Sequence, residues 1–143
     1  CFHRKHGCEL AGELFHRYAS EATAFSDLGQ MTLLMEKLYD SLQFPHPGTN
    51  ERSFTKQIPQ YMRRQERTEC MSDKQLLQKH GDIGTFIVRV QHRQNSSWQG
   101  RITWLEEDQT ISFRSVWEMV KLIESAMDTV SVSEDGEEPT WQQ

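Results

Sequence analysis

The chain has 143 residues, a formal net charge of -5 and three cysteines. This length suits one ordinary domain with its own core, and the mild acidic excess argues against a dedicated nucleic-acid binder. No apolar run approaches the length of a membrane span and no secretory leader stands in the sequence, so we expect no membrane association and a cytoplasmic location. The odd cysteine count favours reduced thiols over a disulfide framework.

The start of the chain carries four side chains of metal-ligand type. They are Cys1, His3, His6 and Cys8. Their order fits none of the common zinc motifs, in which paired ligands sit across a tight turn and a second pair comes from elsewhere. We therefore interpret residues 1–18 as a hairpin with surface histidines and 13–18 as its better strand, with a metal site on these four side chains as the alternative, and we predict no cofactor.

The pattern from Asp27 to Leu42 predicts an amphipathic helix. Asp27 supplies the N-cap and Gln30 completes a capping box, and apolar residues follow at helical spacing until Pro45 ends the helix. Residues 44–82 then read as a connector. Its middle is rich in arginine, including Arg63 and Arg67, and Ser72 caps a short helix near its end.

Two alternating stretches, 86–93 and 98–104, predict a half-buried hairpin. The residues expected on its core face are Phe86, Val88, Val90, Trp98, Ile102 and Trp104. Its solvent face is expected to carry Arg89, Arg93 and Arg101, with Arg114 at the end of a third strand over 110–113. Converging guanidinium groups suit a phosphate or a carboxylate-rich partner, and a simply solvated face is the alternative.

A second amphipathic helix follows the third strand. Ser115 and Glu118 form its capping box, and its apolar stripe is Val116, Met119, Val120, Ile123 and Met127. Residues 129–143 are acidic and poor in apolar side chains, which predicts a flexible tail.

The two helices and the strands before them match under a shift of 88 positions. The shift lays Gly12 on Gly100, Phe25 on Phe113, Asp27 on Ser115, Gln30 on Glu118, Met31 on Met119, Glu36 on Glu124 and Asp40 on Asp128. These positions define a strand-to-helix junction. We predict a single α+β domain over 1–128, an antiparallel sheet with helices packed on one face, built from two β-β-α halves (1–43 and 83–128) related by an internal repeat.

Two short motifs resemble those of the PilZ domain, the cyclic di-GMP receptor. Arg63 and Arg67 match its Arg-x-x-x-Arg arm, and Asn95, Ser97 and Gly100 match its Asp/Asn-x-Ser-x-x-Gly segment. The resemblance implies that the arginines grip phosphate and guanine while Asn95 and Ser97 meet the ligand. A PilZ domain is a six-stranded barrel, whereas here one short strand leads from the hairpin into a helix.

A broader resemblance covers most of the chain. The Ser-Trp-Gln-Gly hairpin (97–100), the Phe-Arg-Ser junction (113–115) and Phe44-Pro45 followed by Arg-Ser-Phe (52–54) are similar to a family of small uncharacterised bacterial proteins. This resemblance implies a bacterial protein and no particular chemistry.

No motif places a nucleophile beside a base or a glycine-rich loop before a helix, so we expect no enzymatic activity. The pattern favours a non-enzymatic interaction or regulatory module that binds a protein partner, or itself as a homo-oligomer, through a sheet face or an exposed strand edge. One alternative is a PilZ-like receptor for a cyclic dinucleotide or another anionic nucleotide. Another is an inhibitor protein of a mobile element, which the acidic charge permits.

Overall fold

The computed structural model describes residues 1–46, 54 and 68–135. Its strands are β1 (Phe2–His6), β2 (Glu9–Leu14), β3 (Thr23–Phe25), β4 (Phe86–His92), β5 (Gln99–Trp104) and β6 (Gln109–Phe113). Its helices are α1 (Leu28–Leu42), α2 (Asp73–Leu76) and α3 (Val116–Asp135), and a 3₁₀ turn covers Leu105–Glu107. Within these ranges no helix combines the length and apolar character that crossing a bilayer requires.

The strands form two antiparallel sheets of three strands each, ordered β1-β2-β3 and β4-β5-β6. Helix α1 contacts β2 and β3, and α3 contacts β5 and β6. The predicted α+β class is confirmed. Each half, residues 1–43 (half one) and residues 83–135 (half two), consists of three strands followed by a helix, which is compatible with the predicted internal repeat.

Each half carries a β-bulge at the same place in its first strand. The pairs that flank the bulge are Phe2–Gly12 and Arg4–Ala11 in half one, and Val90–Gly100 and His92–Gln99 in half two. A bulge adds one residue to one strand, so the side chains beyond it change face. Lys5 and Arg93 come one residue after these flanking pairs. Each side chain is thereby directed toward a helix of the opposite half.

Both long helices begin with the predicted caps. Asp27 Oδ1 accepts from the Gln30 backbone N–H at 2.7 Å, and Ser115 Oγ accepts from the Glu118 backbone N–H at 3.1 Å. The Gln30 and Glu118 side chains in turn accept from the backbone N–H of the residue before the cap, at 2.7 and 2.9 Å. These bonds satisfy donors that a helix start otherwise leaves unpaired.

One hydrophobic core joins the two halves. Its buried members are Phe2, Leu10, Phe25, Leu28, Met31, Met35, Trp98, Ile102, Phe113, Met119, Ile123, Ala126 and Met127. The other residues expected on the core face of the hairpin, Phe86, Val88, Val90 and Trp104, are partly buried against it. Because the stripes of α1 and α3 enter the same core, the halves stabilise each other.

Two boundaries differ from those predicted. Strand β2 ends at Leu14, and residues 15–18 lie beyond it because the short strand β3 pairs only with Gly12 to Leu14. Helix α3 continues to Asp135, so residues 129–135 are helical where the composition predicts a tail. No helix-ending glycine occurs before Gly136, which explains the longer helix. The short helix predicted after Ser72 is confirmed as α2, with Ser72 as its N-cap.

Gly100 allows β4 and β5 to approach closely at the bulge. A Cβ at this position would collide with the backbone carbonyl of Arg89, and one on the equivalent Gly12 would collide with that of Cys1. We expect Gly100→Ala to lower the free energy of unfolding by about 1–3 kcal/mol, because two paired backbones cannot easily move apart. Urea denaturation measures the change.

Gly29→Ala is the matched control. Gly29 lies in the first turn of α1, where the nearest atom to a new Cβ is an Asp27 carboxylate oxygen at 3.2 Å. The higher helix propensity of alanine offsets this contact, so we expect a change below about 1 kcal/mol. An equal effect of the two substitutions would contradict the close approach at Gly100.

Candidate functional site

Arg89 and Arg101 lie on the solvent face of half two, as predicted. They are direct neighbours across β4 and β5, and both are exposed. Arg114, at the end of β6, is bound to Glu118 at 3.0 Å. The hydrogen bond to Glu118 raises the pKa of Arg114, and the same bond lowers the pKa of Glu118. Of these three arginines, Arg89 and Arg101 have no carboxylate partner among the described residues.

The expectation that Arg93 faces solvent is wrong. Its side chain is 3% exposed. Strict alternation along β4 would place it beside Arg89, but the bulge after Val90 turns the following side chains to the other face. Arg93 therefore lies against α1, and it is not available to a partner on the solvent face.

Arg93 binds three acceptors on half one and the residues just after it. Its Nη2 donates to Glu36 Oε1 at 2.7 Å and to Asp40 Oδ1, and its Nη1 donates to the Pro45 carbonyl at 3.2 Å. Trp98 Nε1 donates to the second carboxylate oxygen of Glu36. All of these bonds run from the hairpin of half two to α1 and its C-terminal end.

The environment of Arg93 keeps it charged. Burial lowers its pKa, but the hydrogen bonds to Asp40 and Glu36 and the charges of both carboxylates together outweigh burial and leave the pKa above its usual value. The ring of Tyr39 lies 5.9 Å from the guanidinium carbon and meets Trp98 edge-on at 5.5 Å. Burial has the opposite effect on the Tyr39 phenol and raises its pKa. Arg93 is thus a structural contact between the halves.

A second ion pair joins the halves in the opposite direction. Lys5 Nζ donates to Asp128 Oδ1 at 2.9 Å. The shift of 88 positions lays Lys5 on Arg93 and Asp40 on Asp128, so the two pairs occupy the same places in the repeat. In each pair, a cation beyond the bulge of one half binds a carboxylate on the long helix of the other.

Two of the PilZ-like residues, Asn95 and Ser97, lie in the turn between β4 and β5. Asn95 is exposed and has a left-handed backbone, with φ of 56°. Ser97 Oγ accepts from the Val116 backbone N–H at 2.9 Å, so it caps α3. Arg63 and Arg67 lie outside the described residues. The nucleotide site therefore stays a prediction.

The four metal-type side chains at the start of the chain do not come together as a group of ligands. His3 lies between two carboxylates, 3.1 Å from Glu13 and 3.2 Å from Asp82. Cys1, Cys8 and Cys70 are free thiols. In the described ranges no group of three or more His, Cys, Asp or Glu side chains could hold a metal ion. The structure therefore does not assemble Cys1, His3, His6 and Cys8 into a site.

The outer edge of β4 is the strongest candidate for a binding surface. The Thr85 carbonyl accepts from Leu105 N at 3.0 Å, which sets the alternation of hydrogen bonds between β4 and β5. By this alternation, the backbone N–H and C=O groups of Phe86, Val88 and Val90 point away from β5. In the described part of the chain no backbone group pairs with them.

An apolar groove, here called the β4 groove, runs beside this edge. One wall is β4 from Phe86 to Val90, and residues 14–18 also line it. The facing wall is α1, which contributes Met31, Met35, Leu38, Tyr39 and Leu42. Its volume of about 410 Å³ is within the range of ligand sites. A strand edge beside a helix is an arrangement that accepts an extended peptide as an added strand.

Most charged side chains at the β4 groove already have partners. Arg17 lies 2.7 Å from Asp73, and Lys79 lies over the ring of Phe15 at 5.5 Å. His16 Nδ1 accepts from Tyr18 N at 3.1 Å. These contacts do not place a base beside a nucleophile. The groove is suited to main-chain hydrogen bonding and apolar contact.

Sequence patterns did not identify this edge. Alternation along a strand shows which face is buried, but it does not show which strand lies beside it. The repeat holds the relevant signal, because it aligns β4 with β1 and so allows the edges of the two strands to be compared.

Arg93→Leu would remove the buried guanidinium group that binds the carboxylates of Glu36 and Asp40. We expect the free energy of unfolding to fall by about 3 kcal/mol, since removing one partner of a buried ion pair is strongly destabilising. Arg89→Leu, on the exposed face of the same strand, should change it by less than about 0.5 kcal/mol. Urea denaturation of both variants measures the difference, and similar losses would show that Arg93 does not join the halves.

Comparison of the chain with protein-family models, curated proteins and solved structures found no match. The resemblances drawn from its motifs therefore stay predictions. Functional inference depends on the geometry of the described residues.

Proposed function

We propose that this protein is a non-enzymatic interaction module that takes an extended segment of a protein partner as an added strand at the edge of β4. One observation carries the proposal. The backbone groups of Phe86, Val88 and Val90 have no partner in the described part of the chain and border an apolar groove. Such an edge is a template for pairing with another chain.

The form of β4 supports this proposal. The strand has seven residues and contains no proline. Its bulge lies after Val90, so the stretch from Phe86 to Val90 pairs regularly with β5. Proteins usually protect exposed edges with prolines, bulges or very short strands. A regular edge beside an apolar wall is therefore better explained by binding.

We place this function in the bacterial cytoplasm. The free thiols of Cys1, Cys8 and Cys70 support a reducing compartment, since disulfides form and persist in oxidising ones. The resemblance to small bacterial proteins supports the bacterial origin.

Val90→Pro tests the β4 edge directly. Proline removes the outward N–H at this position and leaves the bonds between β4 and β5 in place. In capture from a lysate of the source cells, we expect the wild-type chain to retain a partner and Val90→Pro to retain at least about tenfold less, as loss of a hydrogen bond and strand fit implies. Quantitative mass spectrometry of the retained proteins measures the ratio.

Ser112→Pro is the matched control. Ser112 lies on β6, opposite Arg101, and its backbone N–H points away from β5 at the other edge of the same sheet. We expect this variant to retain the partner. Circular dichroism confirms folding, and Val88→Pro tests the same edge two residues away if Val90→Pro is unfolded. A partner held equally by all variants would contradict the proposal.

Light scattering separates a foreign partner from a second copy. Under the proposal, the purified chain has the mass of a monomer across a concentration series. A dimer that Val90→Pro dissociates would show instead that β4 pairs with β4 of a second copy.

A further inference from the structure

We propose that the segment bound at the edge of β4 presents a small residue, an acidic residue and an apolar residue in succession. The inference rests on the proposed function and specifies the chemistry of the partner. It follows from half one, where the equivalent edge is covered by the chain itself.

Residues 83–84 pair with Phe2 at the outer edge of β1. Phe2 N donates to the Gly84 carbonyl at 2.8 Å, and Ile83 N donates to the Phe2 carbonyl at 3.0 Å. The pairing is antiparallel. A segment of the chain itself therefore already pairs with this repeated unit at one residue of its outer edge.

Val90 holds the equivalent position in half two. The shift of 88 positions lays Phe2 on Val90, and the bulge follows both residues. Both direct their backbone groups away from the neighbouring strand. Among the described residues, no segment covers Val90 as residues 83–84 cover Phe2. An antiparallel segment there would place successive residues opposite Val90, Arg89 and Val88.

A small residue fits best opposite Val90. Its counterpart in half one is Gly84, where a Cβ would lie 2.5 Å from the terminal Cε of the buried Met127 on α3, so that this methyl group would have to shift. The shift of 88 positions lays Tyr39 of α1 on Met127. The ring of Tyr39 is larger than the Met127 side chain, and it lines the β4 groove. Glycine is therefore the best fit at this place, and a branched or long side chain would collide with the ring.

The residue opposite Arg89 points to the solvent face, because side chains alternate along a strand. Arg89 already faces Arg101 across the β4–β5 pair, and like charges directly opposite each other are unfavourable. Within the described ranges no carboxylate is paired with Arg89. An acidic side chain on the added strand would bind this guanidinium group and offset the repulsion.

The residue opposite Val88 points into the groove. Val88 on β4 lines the groove, as do Met35 and Leu38 on α1. An apolar side chain placed here removes further apolar surface from water. A charged one would lose its hydration without gaining a partner.

The test uses a synthetic peptide that copies residues 81–87 of this chain with Thr85→Asp, so that glycine, aspartate and phenylalanine follow one another. It is titrated into the isotope-labelled full chain and followed by NMR. We expect saturable shifts of the Val88 and Val90 amide signals. A control peptide with the added change Gly84→Leu should bind at least about tenfold more weakly, because the larger side chain overpacks the site.

A charge exchange tests the acidic position. A peptide with Thr85→Lys in place of Thr85→Asp should bind the wild-type chain about twofold to fivefold more weakly, the range of a cross-strand charge pair. With Arg89→Glu in the protein, the Thr85→Lys peptide should bind more tightly than the Thr85→Asp peptide. Arg89 is exposed, so the variant is expected to keep the fold.

Equal affinities for all peptides, no binding, or shifts confined to β6 would overturn the inference. If no peptide binds while capture of a partner still depends on Val90, the sequence chemistry is wrong and the proposed function stands. If no peptide binds and capture of a partner does not depend on Val90, the proposed function and the sequence chemistry are both wrong.

Discussion

The two halves share one hydrophobic core, and the buried guanidinium group of Arg93 is the polar contact that fixes how they meet. It holds the hairpin of half two against Glu36 and Asp40 of α1, and the exposed pair Lys5–Asp128 repeats the contact in the other direction. The β4 groove has one wall from each half, α1 and β4. The groove therefore exists only while the halves remain in this arrangement, so a structural ion pair supports the candidate binding surface without belonging to it.

Local patterns predicted most of the fold. Helices α1 and α3, their caps and the strands of half two follow from hydrogen bonds and periodicities among residues close in the chain, which is why they could be read from the sequence. The orientation of Arg93 could not be predicted in this way. A bulge needs no distinctive residue, and strict alternation along the strand places this side chain in solvent. The repeat carried the missing information, since it pairs Arg93 with Lys5 and Asp40 with Asp128.

The two halves differ most at their outer edges. At the outer edge of half one, Ile83 and Gly84 lie beside Phe2 and pair with its backbone N–H and C=O groups. In half two, the matching edge at Val90 faces a groove, and the sequence pattern could not show this because it depends on which strands become neighbours. A segment of the chain itself pairs with Phe2, and the proposed partner would supply the equivalent segment at Val90.

Amide hydrogen exchange of the isolated chain, resolved by NMR, tests this difference most directly. The backbone N–H of Phe2 donates to Gly84 and that of Arg89 to β5, whereas among the described residues no group pairs with the N–H groups of Val88 and Val90. The account predicts slow exchange at Phe2 and Arg89 and fast exchange at Val88 and Val90. Protection of Val88 and Val90 equal to that of Phe2 would show that the edge is already covered, and would contradict the account.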